Sequence, residues 1–254
     1  MQTNESQFFR EHEIEWDDTK VSRLWNYYSR TPPYSYVYFS KVFGHHLLRY
    51  SGLPLGESLE VLDFGCGPGF IWEHLNRMGS RWQYTALDFS NDSVSTVVKK
   101  AHGNKYFRGV THVNKLPTNL PDTHFDVVLL FEVVEHLNDA YLDGTLTEIA
   151  RILKKGGVCV ITTPNKEDLS VSNNFCPECG AIFHKWQHIR SWDVNSLSAY
   201  LKQYGFDLCL SKTLDLTAQG LTPHALFRKV RRKAQQLLNV DSCCPHMITV
   251  FQKA

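Results

Sequence analysis

Val61-Leu62-Asp63-Phe64-Gly65-Cys66-Gly67-Pro68-Gly69 is the stretch on which the fold turns. An apolar, strand-like run ends in an acid and then meets three glycines at alternate positions. Glycine lets the backbone turn sharply and lets a ligand approach the main chain. A helix is predicted to follow at 69–78, and its N-terminus would present unpaired N–H groups. Asp88 stands 21 residues after Gly67 and closes a second apolar run, Leu87-Asp88-Phe89. A carboxylate at that place can accept both hydroxyls of a ribose. A nicotinamide dehydrogenase would use similar parts, with glycines spaced G-x-G-x-x-G around a pyrophosphate. Here the spacing is G-x-G-x-G, and Phe70 stands where the third dehydrogenase glycine would fall. Asp63 would repel a pyrophosphate, whereas it suits a cofactor bearing a cation and an amino group.

Outward from this loop, strand-like and helix-like stretches alternate. Strands are predicted at 59–64, 82–87, 105–108, 125–131 and 157–163, and helices at 69–78, 91–101 and 139–153. The last helix is expected to end at Lys154-Lys155-Gly156-Gly157, where cations and glycines suit a helix C-terminus. A helix at 193–204 and strands at 206–212 and 247–252 complete the pattern. Such alternation implies a mostly parallel sheet with helices on both faces. Residues 1–56 differ: they are aromatic and lack strand alternation, and Pro32-Pro33 divides them because proline fixes φ and has no donor. They read as a helical cap, with a second helix near 35–50, that serves as packing mass or as a lid.

The ordered motifs resemble the class I S-adenosylmethionine-dependent methyltransferases, strongly over about 57–165 and more loosely over 193–254. Val61–Gly69 matches the first motif of that family and Asp88 its ribose-binding acid. Phe125-Asp126-Val127-Val128 with Glu132-Val133-Val134-Glu135-His136-Leu137 matches the strand-four motif, and Leu153–Val158 through Thr162–Asn165 a later one. The subgroup is similar to small-molecule methyltransferases, including quinone-biosynthesis O-methyltransferases. The resemblance implies an α/β fold: a three-layer, Rossmann-like, seven-stranded sheet whose last strand is antiparallel. It carries a helical N-terminal cap (1–56) on a methyltransferase domain (57–254). It also implies S-adenosyl-L-methionine over the carboxyl ends of the strands, with Asp63, Gly65, Cys66, Gly67 and Gly69 at its amino-acid portion. Asp88 would take the ribose, Phe89 the adenine, and Phe131 and Glu132 the sulfonium end. The family often places Gly-Asp before Leu-Pro for the adenine amino group. Here Gly109–Pro117 is longer and lacks the acid, so backbone groups or Thr111 are left to substitute.

Methyl transfer from a sulfonium is an in-line displacement that rewards alignment. A hydroxyl or amine nucleophile also loses a proton, for which a nearby base helps. Glu135, His136 and His188 are the candidate bases; the alternative for the first two is capping or loop ordering.

Residues 166–192 form an insertion holding Cys176, Cys179, His184 and His188, spaced C-x2-C-x4-H-x3-H. Four such ligands suit closed, tetrahedral, structural Zn2+. His188 is shared between the metal and catalytic readings, and Cys243, Cys244 and His246 could replace a ligand. A redox C-x-x-C is a lesser alternative. A second insertion, 213–245, contains 224–239. There Phe227, Val230, Ala234, Leu237 and Leu238 recur at helical spacing beside Arg228, Lys229, Arg231, Arg232 and Lys233. That face could meet an anionic sugar or lipid-linked substrate, or it could simply be solvated.

The chain has 254 residues, with 27 Lys+Arg against 26 Asp+Glu and 43% apolar residues, which excludes fibrous and disordered classes. A net charge of +1 argues against a nucleic-acid partner. No run is long enough to span a membrane. The polar start and an odd cysteine count fit a cytoplasmic protein without a disulfide framework. The expected activity is methylation of oxygen or nitrogen on a small-molecule, sugar or lipid-linked acceptor. The alternatives are an RNA methyltransferase or nucleic-acid module using the Cys/His knuckle, and a non-catalytic cofactor-binding scaffold.

Overall fold

The chain opens with a two-residue strand β1 (His12–Glu13), then helices α1 (Asp18–Arg30) and α2 (Phe39–Tyr50). There follow β2 (Glu60–Phe64), α3 (Phe70–Arg77), β3 (Gln83–Asp88), α4 (Asn91–Ala101), β4 (Phe107–His112), β5 (Phe125–Phe131), α5 (Asp139–Ile152) and β6 (Leu153–Pro164). The rest comprises β7 (Asn173–Phe175), β8 (Ala181–His184), α6 (Val194–Lys202), β9 (Phe206–Leu214) and β10 (His246–Lys253). These elements come from a computed structural model, which describes residues 9–36, 38–218, 226–227, 230–231 and 245–254. Most of the basic stretch 224–239, together with Cys243 and Cys244, lies outside the described residues.

Seven strands form one sheet in the order β4-β3-β2-β5-β6-β10-β9, with β10 antiparallel to both its neighbours. This is the seven-stranded, last-strand-antiparallel sheet that the motifs imply. Both of its faces are covered, and the apolar runs alternate between them as period-two strands must. Val61, Val127 and Leu129 face a core built with Leu47, Trp72 and Val97 of α2, α3 and α4. Leu62, Val128 and Leu130 face the other core, with Leu146, Ile149, Leu197 and Leu201 of α5 and α6. The strand order reverses between β2 and β5. Open α/β sheets bind ligands at the carboxyl ends of the strands at such a point.

One boundary differs from the sequence expectation. Helix α5 stops at Ile152, and Leu153 is already extended. Lys154-Lys155-Gly156-Gly157 belongs to β6 instead of capping a helix. Phe125 pairs with Leu153 and Val127 with Val158, so these four residues bulge out of the ladder. The Lys154 ammonium donates to the Asp126 carboxylate at 2.7 Å. A Cβ on Gly157 would sit 2.9 Å from the Lys154 carbonyl oxygen and 3.2 Å from that of Asp126. Glycine is therefore needed for close backbone approach within a bulge.

A second, three-stranded sheet joins the two ends of the cap and insertion. β7 and β8 form an antiparallel hairpin, and β1 pairs in parallel with β8. The His12 N–H donates to the Gly180 carbonyl and the Ile14 N–H to that of Ile182, both at 3.0 Å. Gly180 has φ +79°, and a Cβ there would overlap the Arg10 carbonyl. Phe9 packs on Phe175 and Trp16 on Phe183. A two-residue strand leaves no alternation to read, so the pairing of the N-terminal segment with the insertion is invisible before folding. Among the described residues no helix is long and apolar enough to cross a membrane.

Candidate active site

The glycine loop is pinned from both sides. Gly65 and Cys66 donate their N–H groups to the Leu87 carbonyl at 2.8 and 3.0 Å. Gly65, Gly67 and Gly69 all have φ between +51° and +80°, a region that favours glycine. Asp88 accepts from the Gly67 N–H and from the Ser90 N–H, each at 2.8 Å. Burial pushes this carboxyl up, opposed by those backbone bonds. An ionised carboxylate has about four acceptor positions, so two remain for a diol. A Cβ on Gly67 would meet no protein atom within 4 Å, although Gly67 lines the cleft. The space above the loop therefore fits a ligand against bare backbone, as S-adenosyl-L-methionine requires.

This cleft has a volume of about 1250 Å³. Of the residues expected to bind the cofactor, Gly65, Cys66, Gly67, Asp88, Phe89, Phe131 and Glu132 line it. Asp63 and Gly69 do not; they act from beneath. Asp63 is 1% exposed and accepts from the Tyr84 hydroxyl at 2.5 Å. Burial pushes its carboxyl up to about 7. Gly69 is the left-handed N-cap of α3, and its Cβ would lie 2.9 Å from Val97. Thr111 is likewise absent from the cleft wall. The cap contributes Trp25 and Tyr38, which sequence reading did not single out. Burial raises the Tyr38 phenol, and so does the nearby Asp88 charge.

The opposite end of the cleft gathers acids and imidazoles. Glu132 holds φ +55°, and its N–H donates to the Thr162 carbonyl at 2.9 Å. Burial pushes its carboxyl up to about 8. Glu135 is 1% exposed and raised by burial and then by the charge of Glu132. Neither of its oxygens has a partner in hydrogen-bond geometry. His136 is pushed down to about 3, chiefly by burial, so it stands neutral and weakly basic. Its Nδ1 faces the Gln187 carbonyl at 3.3 Å, and its Nε2 lies 3.8 Å from Glu135 Oε1. The Gln187 side chain links three elements: it accepts from the Trp25 indole at 3.2 Å and donates to the His136 carbonyl at 3.0 Å.

His188 Nδ1 lies 2.5 Å from Glu167 Oε2. The carboxylate accepts, so Nδ1 is the donor in this contact. The His188 ring is 4.9 Å from that of His136 and 4.6 Å from that of His184. Glu167 was not predicted. It is a single acid in an irregular segment, with no periodicity or motif to mark it.

The predicted zinc tetrad is not assembled. Cys176 and Cys179 sit together at the tip of the β7–β8 hairpin, where the Cys176 N–H donates to the Ala181 carbonyl at 2.8 Å. Backbone N–H groups of Cys179 and Glu178 hold the Cys176 thiol below its ordinary range. His184 lies at the far end of β8, three residues along an extended chain from Ala181, or about 10 Å. That reach separates the thiols from both histidines. His184 Nδ1 also accepts from the His188 N–H at 3.1 Å. Its Nε2 is then the protonated nitrogen and a poor metal ligand. His246 could not replace a ligand either: it lies in β10, with Nδ1 3.2 Å from the Leu216 N–H. Among the described residues, two groups bring three ligand atoms within 4.8 Å of one another. They are Glu135, His136 and His188, and Glu167, His184 and His188; neither contains a cysteine.

Residues 38–211 match the family described as "Methyltransferase domain". The ubiquinone biosynthesis O-methyltransferase of Pelagibacter ubique (strain HTCC1062) is 35% identical over 120 residues, 47% of this chain and 47% of that protein. The chain spans about half the length of the curated relatives it matches. A protein of Pyrococcus horikoshii OT3 superposes with a TM-score of 0.60 at 14% identity, covering 94% of this chain and 100% of the other. Haemonchus contortus phosphoethanolamine N-methyltransferase 2, in complex with S-adenosyl-L-methionine, gives 0.57 at 16% identity, covering 91% and 60%. At such identities these two likenesses are of fold.

Proposed function

The chain belongs to the methyltransferase family, and from that premise we propose that it moves the methyl group of S-adenosyl-L-methionine onto an oxygen of a small hydroxylated acceptor. One observation carries this reading. The glycine loop tied to Asp88 and the Glu132–His136–His188 wall open onto the same cleft. Gly65, Cys66 and Gly67 would hold the amino-acid portion of the cofactor, Asp88 its ribose and Phe89 its adenine. Phe131 and Glu132 would lie at its sulfonium end. The cofactor supplies an electrophilic methyl group, and the chain supplies alignment and a place for a proton.

The acceptor belongs at the Glu132, His136 and His188 end, roofed by Trp25 and Tyr38. Its oxygen forms the new bond to the methyl carbon while the carbon–sulfur bond breaks. The electron pair of that bond stays on sulfur, and the hydroxyl proton is taken up at this wall. His136 is too weak a base to take it alone. Oxygen is preferred to nitrogen because the curated relatives of this stretch are named O-methyltransferases. A sugar or lipid-linked acceptor would need the basic stretch 224–239 as well.

The test is transfer of tritiated methyl groups to a panel of hydroxylated aromatic and quinol compounds. Label extracted with one such compound, and none with amine analogues, supports the reading. Cofactor binding with no label in any hydroxylated compound, or label in amines alone, overturns it.

A further inference from the structure

We propose that Cys176 and Cys179 form a dithiol site, which a small-molecule disulfide of the glutathione class converts reversibly into a disulfide between them. The site lies outside the cleft and does not depend on the methyltransferase reading. Geometry supplies the first observation. The Gly180 N–H donates to the Cys176 carbonyl at 2.9 Å, which winds Pro177, Glu178 and Cys179 into a single turn at the tip of the β7–β8 hairpin. Residues three apart on such a turn are neighbours, with Cβ atoms about 5–6 Å apart. A disulfide needs about 3.5–4.5 Å, so a small closure of the turn suffices. Pro177 has no N–H to offer. The next two N–H groups, of Glu178 and Cys179, turn toward the Cys176 sulfur, and the Cys179 thiol stands beside it.

The second observation is selectivity. Cys179 is exposed and Cys176 half-buried, so a small reagent reaches both. The thiolate is the attacking form, and backbone N–H groups at the start of a turn favour it, as in other Cys-x-x-Cys pairs. Those of Cys179 and Glu178 hold the Cys176 thiol below its ordinary range, against the opposing charge of the Glu178 side chain. Cys66 and Cys159 are buried, and burial pushes both thiols up. Cys209 is exposed but sits on β9 of the seven-stranded sheet. Among the described cysteines, this pair alone combines access, a turn that favours thiolate and a neighbouring thiol.

The exchange balances with the small disulfide as its only co-reactant. Cys176, having given its proton to water, attacks one sulfur of that disulfide. A new S–S bond forms, the old one breaks, and one half departs as a thiolate that takes up a proton. Cys179 then gives its proton to water and attacks the Cys176 sulfur, and the second half departs and is protonated. Two protein thiols are oxidised and one disulfide is reduced to two thiols. The site sits where the N-terminal strand meets the insertion. The Gly180 carbonyl accepts from the His12 N–H at 3.0 Å, and Phe175 carries the Phe9 ring. The disulfide closes the turn beneath that joint and resists its opening.

The experiment uses the full chain, reduced and then equilibrated at neutral pH in glutathione buffers of graded oxidation. Samples are quenched with acid, alkylated and mapped by mass spectrometry. A disulfide linking Cys176 to Cys179 is expected, forming as a two-electron couple and reversed by reduced glutathione. Cys179→Ser should trap glutathione on Cys176, about tenfold or more faster than on Cys209. Oxidation should slow proteolysis within residues 9–16 in the wild type and leave Cys176→Ser unchanged; equal rates in oxidised and reduced wild type would overturn the link to the N-terminal strand. Absence of the disulfide from folded protein in the most oxidised buffer would overturn the proposal. So would pairing of either thiol with Cys243 or Cys244, or Cys176 reacting no faster than Cys209. Zn2+ that copurifies with the chain and shields both thiols until it is chelated would overturn it too. Methyl transfer is not read, so failure of the proposed function leaves this result standing.

Discussion

Asp63 should make the fold less stable as pH rises through the weakly acidic range. The carboxyl is buried below the glycine loop, with the Tyr84 hydroxyl as hydrogen-bond donor. Its folded value is pushed from 3.8 to about 7, so between those limits the folded chain holds a proton that the unfolded chain has released. Stability falls with pH wherever the folded state binds more protons. The contribution is fully present below about 4 and gone above about 7. About 1.4 kcal/mol per unit makes the whole effect at most about 4 kcal/mol, and about 2.5 kcal/mol between pH 5 and 8. Asp63→Asn keeps the shape and an acceptor for Tyr84 but does not titrate. Urea unfolding of both proteins at pH 5, 6, 7 and 8 isolates the group, because every other titration is common to the pair. The stability of the wild type relative to Asp63→Asn should drop by about 2–3 kcal/mol across that range. A difference flat to within about 0.5 kcal/mol would refute the burial argument.

Three further outcomes are expected. Gly65→Ala forces a side chain into φ +78° and 2.8 Å from Val133; strain of about 1–2 kcal/mol should lower the melting temperature and weaken the cofactor, both read by thermal shift with and without it. Gly180→Ala should lift the N-terminal strand from the insertion, seen as faster proteolysis within residues 9–16 at unchanged cofactor affinity; an unchanged cleavage rate would contradict the β1–β8 pairing. Trp25→Ala removes the ring packed 5.2 Å from His136 and the donor to Gln187; it should raise the acceptor KM several-fold while changing cofactor Kd less than twofold.

The centre of the sheet was legible because β2, β3 and β5 are buried on both faces, and such runs are written as apolar blocks between turn residues. Val127–Phe131 could hardly be anything else. The half of the cleft proposed for the cofactor was legible for a related reason: Gly65, Gly67 and Asp88 are held through backbone and through position at strand ends, which local sequence specifies. Asp63 was placed correctly along the chain and wrongly in depth, since nothing in the motif tells that Tyr84 covers it. The half proposed for the acceptor was only partly legible. Glu135, His136 and His188 stood out as chemical types, whereas Glu167, Gln187, Trp25 and Tyr38 come from separate segments and meet only through tertiary packing. The zinc reading failed on geometry. Spacing counts residues, but the four residues Ala181–His184 are extended, and an extended strand carries His184 away from the cysteines as a tight knuckle would not.

The most direct test is a calorimetric titration of S-adenosyl-L-methionine into the wild type and into Asp88→Ala. The account predicts saturable one-to-one binding to the wild type. The variant should bind at least 100-fold more weakly, because two charge-assisted hydrogen bonds of about 1.5–3 kcal/mol each are lost with the anchor of the loop. No heat of binding to the folded wild type, or equal affinity in Asp88→Ala, would contradict the placement of the cofactor in this cleft.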